Sequence, residues 1–182
     1  MQNSDWCLEW ASCVVTVQRE LMLCGADERQ WQKQHIDQVV ALKDQLHQLF
    51  VAAGGLEGCA ECDGACCARG QHHMTLVEVL SALLRNRPLP SPDPAVTCPF
   101  LTLEGCSLEP GLRPFNCVTF NCEIVEEHLT AEQVARFYAL ERELRALYEV
   151  FEERYAGASL RGLVIRSRRL GGRRLLGPPP AP

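Results

Sequence analysis

"QWQKQHIDQVVALKDQLHQLFVA", residues 30–52, sets Trp31, Ile36, Val39, Val40, Leu46, Leu49 and Phe50 at the three- and four-residue steps of one helical face. The AAGG that overlaps its end, with glycines at 54 and 55, stops the pattern at Gly54. Upstream, residues 4–24 repeat the design. Trp6, Trp10, Cys13, Val14, Val17 and Leu21 form a stripe, and Ser4 or Asp5 is placed to cap it. Two amphipathic helices joined by a short polar link predict an antiparallel hairpin, with Trp6, Trp10 and Trp31 as core between them.

Two capping boxes mark further helices. In TLVE (75–78) and TAEQ (130–133), a threonine oxygen and an acid or amide three residues on each satisfy a backbone amide that the helix leaves open. The first helix is predicted to run to about Arg87, where PLPSPDP (88–94) forces an extended link. The second is long, buries Val134, Phe137, Tyr138, Leu144, Leu147, Tyr148 and Phe151, and stops near Gly157. Between them, CPFLTLEGCSL (98–108) reads as a tight hairpin with Glu104 and Gly105 at the turn. The predicted fold is mainly α: about four helices scaffolding two irregular cysteine-rich loops, with a short β-hairpin. Residues 1–157 form a single helical domain, and 158–182, ending in SRRLGGRRLLGPPPAP, form a basic, disordered tail.

A chain of 182 residues with 47% apolar and 23% charged residues can bury a core without covalent help, so its 11 cysteines are not the staples of a mini-protein. The opening MQNSDWCLEWASC has no basic leader, and no apolar run approaches the roughly 18 residues of a membrane span. These features predict a cytoplasmic protein with no membrane association. In that compartment thiols stay reduced, and clustered cysteines bind metal more often than they pair. Of 18 basic residues, six are arginines past Tyr155, where no acid occurs. Residues 1–155 therefore hold 12 basic against 23 acidic residues, a formal −11 that does not suit nucleic acid.

Eight cysteines fall in two segments. Cys59, Cys62, Cys66 and Cys67 have the spacing C-x2-C-x3-C-C, in a stretch whose glycines predict a loop. Cys98, Cys106, Cys117 and Cys122 have the spacing C-x7-C-x10-C-x4-C. Short spacings let thiolates from one turn of backbone converge, and a soft metal needs four of them, whether it is zinc or the irons of a [4Fe–4S] cluster. In extended backbone, adjacent Cys66 and Cys67 point to opposite sides and could serve two centres; a bent backbone could bring both to one. Gly64, Gly70 and Gly105 allow amides to approach sulfur, while Arg69 and Arg113 could offset the negative charge of a four-thiolate centre.

CAECDGACC, then CPFLTLEGCSL, then RPFNCVTFNC, resembles the bacterial zinc- or iron-chelating CxxCxxCC, or YkgJ-type, cysteine-cluster family. All its parts occur in order between Cys59 and Cys122, including Pro99, Phe100, Leu101, Arg113 and Pro114. The gap between Cys62 and Cys66 holds three residues where the family name implies two. The resemblance implies metal chelation by the eight cysteines. A related cluster in flagellin lysine methylases implies an iron–sulfur centre and, as an alternative function, a protein-modifying enzyme.

Other residues carry plainer readings. Cys7, Cys13 and Cys24 lie on or near a helical stripe, where cysteine packs as a small hydrophobe. His72 and His73 are read as solvent-facing or as neighbours of the centre, since eight thiols already stand available. Glu61 and Asp63 lack a matched nucleophile, so no catalytic residue is assigned. A thiol oxidoreductase using Cys59 and Cys62 would need a strand before its C-x-x-C, and none is predicted. The leading expectation is a zinc or iron–sulfur protein with a structural or electron-transfer role and an unidentified protein partner.

Overall fold

Helix α2 (Ala26–Ala52) is the hub of the computed structural model, which describes residues 3–61, 74–90, 92, 98–102, 105–159 and 161–178. Its buried residues Gln32, Ile36, Val39, Val40, Lys43 and Leu46 follow the helical period. They face α7 (Ala131–Arg154), α4 (Leu76–Leu84) and a 3-10 turn at Pro110–Leu112. Helices α2 and α7 run antiparallel. At one end Arg154 Nε donates to Glu28 Oε1 at 2.9 Å and the guanidinium lies 4.1 Å over the Trp31 ring. At the other, Arg136 Nη2 donates to Gln45 Oε1 at 2.6 Å.

This pairing corrects the expected hairpin of the first two helices. Helix α1 (Asn3–Met22) lies instead against α4 and α8 (Leu163–Leu170), and the close long partner of α2 is α7. The tryptophans divide accordingly. Trp6 stacks on Trp10 at 6.0 Å, whereas Trp31 meets Phe151 and Tyr155 of the α7 end at 5.1 and 6.1 Å. Trp31 goes there because that end supplies both aromatic edges and the Arg154 guanidinium.

Chain ends of the predicted helices hold well. Gly54 takes the left-handed φ of +71° that stops α2. Thr75 and Thr130 form both capping boxes. The glycine-rich stretch after Gly54 is not all loop, however: α3 (Gly55–Glu61) begins at once, under the Phe50 ring, where a Cβ on Gly55 would come within 2.4 Å of a ring carbon. The helix α4 ends at Leu84, short of Arg87. The hairpin pairs β1 (Leu101–Thr102) with β2 (Gly105–Cys106), Leu101 opposite Cys106 and Thr102 opposite Gly105. Gly105, at φ +103°, therefore belongs to the strand rather than to the turn. Two short helices, α5 (Phe115–Thr119) and α6 (Glu123–Glu126), occupy the second cysteine segment. Tyr138, expected in the core, is 45% exposed, and its hydroxyl donates to Glu126 at 3.0 Å.

The largest correction concerns 158–182. Residues 161–178 are built into the domain rather than forming a disordered tail; 179–182 lie outside the described residues. Glu152 organises the entry, accepting from the Gly157 amide at 2.6 Å and from the amide and hydroxyl of Ser159 at 3.0 Å. Arg166 on α8 is buried and donates to the Ala156 and Leu175 carbonyls at 3.0 and 2.8 Å. Beyond the left-handed Gly171, the buried Leu175 and Leu176 give their amides to the Glu20 carboxylate of α1, at 3.0 and 2.6 Å. Polar composition concealed a few apolar residues with defined docking sites.

The centre of the fold is polar. Lys43 and Glu78 are both fully buried, with Lys43 Nζ 3.1 Å from Glu78 Oε1. Tyr148 also donates to Glu78 Oε1, while the amide and hydroxyl of Thr75 donate to Oε2 at 2.8 and 2.7 Å. Burial lowers the Lys43 ammonium against the pull of Glu78, and burial pushes the Tyr148 phenol well above its usual value. Lys43→Met leaves the carboxylate buried without its cation and should cost about 3–5 kcal/mol, with Lys43→Met/Glu78→Gln recovering part of the loss. Urea unfolding midpoints of the two variants check this ordering.

Acid should loosen the helical frame. The Arg154 hydrogen bond, opposed by burial, holds Glu28 below the usual carboxylate range. Burial raises Glu152, but the Ser159 and Gly157 donors and Arg161 outweigh it and lower the carboxyl. Carboxyls lowered in the folded state contribute stability that is present above the ordinary carboxylate range and lost as pH falls through their folded values. Unfolding midpoints measured from pH 7 to pH 3 should therefore fall as acidity rises, and Glu152→Gln should flatten that limb.

Candidate metal centre

The second cysteine segment is fastened to the helices by its apolar residues. Phe100, from the Cys-Pro-Phe-Leu run, is 3% exposed and sets its ring edge-on to Trp10 of α1, at 6.5 Å. Ser107 returns its amide and hydroxyl to the Phe100 carbonyl at 2.8 and 2.9 Å, which closes the hairpin base. Gly111 lies so close to α2 that an added Cβ would come within 3.0 Å of Val40. Pro114, with φ at −53°, caps α5. The next residue, Phe115, packs edge-on to Tyr148 at 5.1 Å, with the Arg145 guanidinium 5.0 Å over its ring. Leu108, Leu112 and Val118 complete the buried seam. Phe100 and Pro114, two of the residues that carry the cysteine-cluster resemblance, thus help to hold the sulfur-bearing turns in place.

Between these anchors the cysteines come to different surroundings. Cys98 is buried at 6% exposure. Cys106 and Cys117 belong to exposed residues, and Cys122 is half-buried at the N-cap of α6. Protein packed around its sulfur raises the Cys106 thiol, the Leu108 amide and the Arg113 guanidinium pull it down, and nearby Cys98 pushes it up. Cys117 is felt by both Lys43 and Tyr148, so its segment lies beside the buried polar centre. Helix α3, on which Cys59 lies, packs against β2, which carries Cys106, and against α6, which Cys122 caps. Segments remote in sequence thereby meet around α3.

Cys62, Cys66 and Cys67 lie outside the described residues, as do Asp63, Gly64, Arg69, Gly70, His72 and His73. No two of the described cysteines are joined as a disulfide. Among the described residues no group of three or more His, Cys, Asp or Glu side chains is placed to hold a metal ion. Cys98 and Cys106 are brought within electrostatic reach of each other. The donor chemistry fits a thiophilic metal: soft thiols, with a guanidinium at Cys106 and an ammonium in the vicinity of Cys117. Cys59 is preceded by α2 and Gly54 rather than by a strand, which is not the setting of a thioredoxin-type C-x-x-C.

Arg113 is the most connected residue here. Its Nε donates to the Leu108 carbonyl at 3.1 Å, its Nη1 stands 3.3 Å from His47 Nδ1, and its positive charge lowers the Cys106 thiol. His47 went unremarked in the sequence, since one histidine in an amphipathic helix carries no spacing signal. Lys43 did carry one: it falls on the same apolar stripe as Val39, Val40 and Leu46. The remaining cysteines pack as expected. Cys13 is buried, and Cys7 and Cys24 lie against the same core.

No family model, curated protein or solved structure matches the chain. No helix among the described residues is long and apolar enough to cross a membrane.

Burial first, with Glu9 adding to it, raises the Cys13 thiol despite its Ser167 hydrogen bond, and burial likewise raises Cys24. In reduced, metal-free protein at pH 7.5, Cys13 should alkylate at least about tenfold more slowly than exposed Cys117. Mass spectrometry of timed iodoacetamide reactions resolves the two sites.

Proposed function

We propose that this chain is a cytoplasmic metal-binding protein in which Cys59, Cys62, Cys66, Cys67, Cys98, Cys106, Cys117 and Cys122 hold one or two four-thiolate centres, zinc or an iron–sulfur cluster. The observation that supports it most is the meeting of α3 with both β2 and α6, which draws the Cys59 segment to the segments of Cys106 and Cys122. Cysteine spacing adds support, as does the resemblance to the YkgJ-type family between Cys59 and Cys122.

A bound centre would supply a cross-link between the two cysteine segments if zinc, or a one-electron store passing charge to a partner protein if a cluster. The chain supplies the rest. Phe100, Leu112 and Phe115 hold the second segment on the helices, which limits how far its thiols can move from one another. The Arg113 charge works against the burial that raises the Cys106 thiol, and so favours the thiolate. With four thiolates filling a zinc site no position is open to substrate, so a zinc form is structural.

The test is anaerobic purification followed by a visible spectrum and assay of iron, sulfide and zinc. A cluster gives a brown protein with absorbance near about 400 nm and about four irons and four sulfides per centre. Zinc gives a colourless protein with about one equivalent per centre. Removing the metal should expose the eight loop thiols to alkylation while far-UV circular dichroism keeps most of its helical signal. Protein made under either metal supply that holds neither iron nor zinc would sink the proposal.

A further inference from the structure

Helix α1 carries apolar side chains on two opposite faces. Trp6, Trp10, Cys13 and Val17 enter the core, while Leu8, Val15 and Met22 stand 72%, 43% and 66% exposed on the far side, nearly half a turn away. These three recur at seven-residue steps, and Ala11 and Gln18, at the intervening positions, are exposed as well. That period suits a helix paired with another helix. Along one flank of the stripe the same step places Asp5, Ser12 and Arg19, all exposed. Asp5 stands in the first turn of α1 and Arg19 in the last. Neither side chain makes an ion pair or a hydrogen bond among the described residues, although Glu9 of the same helix pairs with Arg168.

The arrangement is complementary to itself. When two such helices lie antiparallel along their outer stripes, like flanks meet, and residues equally far before and after Ser12 come level with one another. Asp5 and Arg19 are each seven residues from Ser12. Arg19 therefore faces the partner's Asp5, and Asp5 faces the partner's Arg19. Val15 then packs over the partner's Ala11, whose small side chain lets the helices approach, and Leu8 and Met22 cover the two ends. In a parallel pair Asp5 would instead lie level with the partner's Asp5, and Arg19 with the partner's Arg19.

We propose that the outer face of α1 is a homodimer interface, in which two copies pair α1 antiparallel about a two-fold axis near Ser12. Charge selects the occupant: an acid at one end and a base at the other, on one flank, are both answered by the reversed copy of the same helix. Asp5 to Met22 spans about 26 Å of helix, so the contact is small and the dimer depends on concentration.

The test is sedimentation equilibrium of the full chain with its thiols kept reduced, at concentrations up to about 1 mM, enough to detect a millimolar dissociation constant. Wild type should populate monomer and dimer. Val15→Glu sets a carboxylate in the middle of the stripe and should weaken dimerisation at least about tenfold. Arg19→Asp makes both charge pairs repulsive and should weaken it about fivefold. Asp5→Arg/Arg19→Asp rebuilds both pairs in reverse and should return to within about twofold of wild type. Circular dichroism and melting of each variant should stay near wild type, because all three side chains are exposed in the single chain. A chain that is monomeric throughout this range, a dimer indifferent to Val15→Glu, or a double reversal that fails to restore what Arg19→Asp removes would each overturn the proposal. So would a monomeric wild type that co-sediments with phosphatidylserine vesicles, which would give this face to a lipid surface.

Discussion

Lys43 carries an ammonium into the middle of a helix face that otherwise buries apolar side chains, and most of the architecture answers that charge. The carboxylate that meets it, Glu78, comes from the first turn of α4, where it also completes the capping box with Thr75. The third member, Tyr148, comes from α7. Three helices are thereby registered to one another by directional contacts, where apolar packing alone would tolerate sliding. The carboxylate takes donors on both oxygens, so the charge is fully answered.

The same centre extends toward the cysteines. Tyr148 is covered by the Phe115 ring, Phe115 opens α5, and Cys117 is the third residue of that helix. Any displacement of α7 relative to α2 would thus be transmitted to a sulfur-bearing turn. The hairpin is tied separately, through Phe100 to α1 and through Arg113 to α2. Scaffold and site share side chains, which explains why two short helices and a two-residue-per-strand hairpin can hold a fixed position without a core of their own.

Much of the frame was legible in the sequence because it rests on local signals. Apolar periodicity marked α1, α2 and α7, the threonine boxes marked the starts of α4 and α7, and Gly54 marked a stop. What escaped depends on contacts between distant residues. Trp31 could not be assigned to α7 rather than α1, because amphipathicity gives a face and not its partner. The segment 161–178 reads as a basic tail by composition, yet its folding is decided by Arg166, Leu175 and Leu176 finding carbonyls, a carboxylate and apolar cover elsewhere. At the site, the spacing of Cys98, Cys106, Cys117 and Cys122 pointed to thiolate chemistry, and the helical form of the α3, α5 and α6 turns did not show. His47 and its bond to Arg113 join positions 66 residues apart, beyond the reach of any local pattern.

The grip of Glu20 on the Leu175 and Leu176 amides joins positions 155 and 156 residues apart. The contacts that join α2, α4 and α7 through Lys43, Glu78 and Tyr148 do not involve that segment, whereas the Glu20 carboxylate of α1 depends on it for both amide donors. Cleavage of the backbone between α8 and Leu175 would therefore release two buried leucines and strip the Glu20 carboxylate of both amide donors, although the cut lies far from it in sequence.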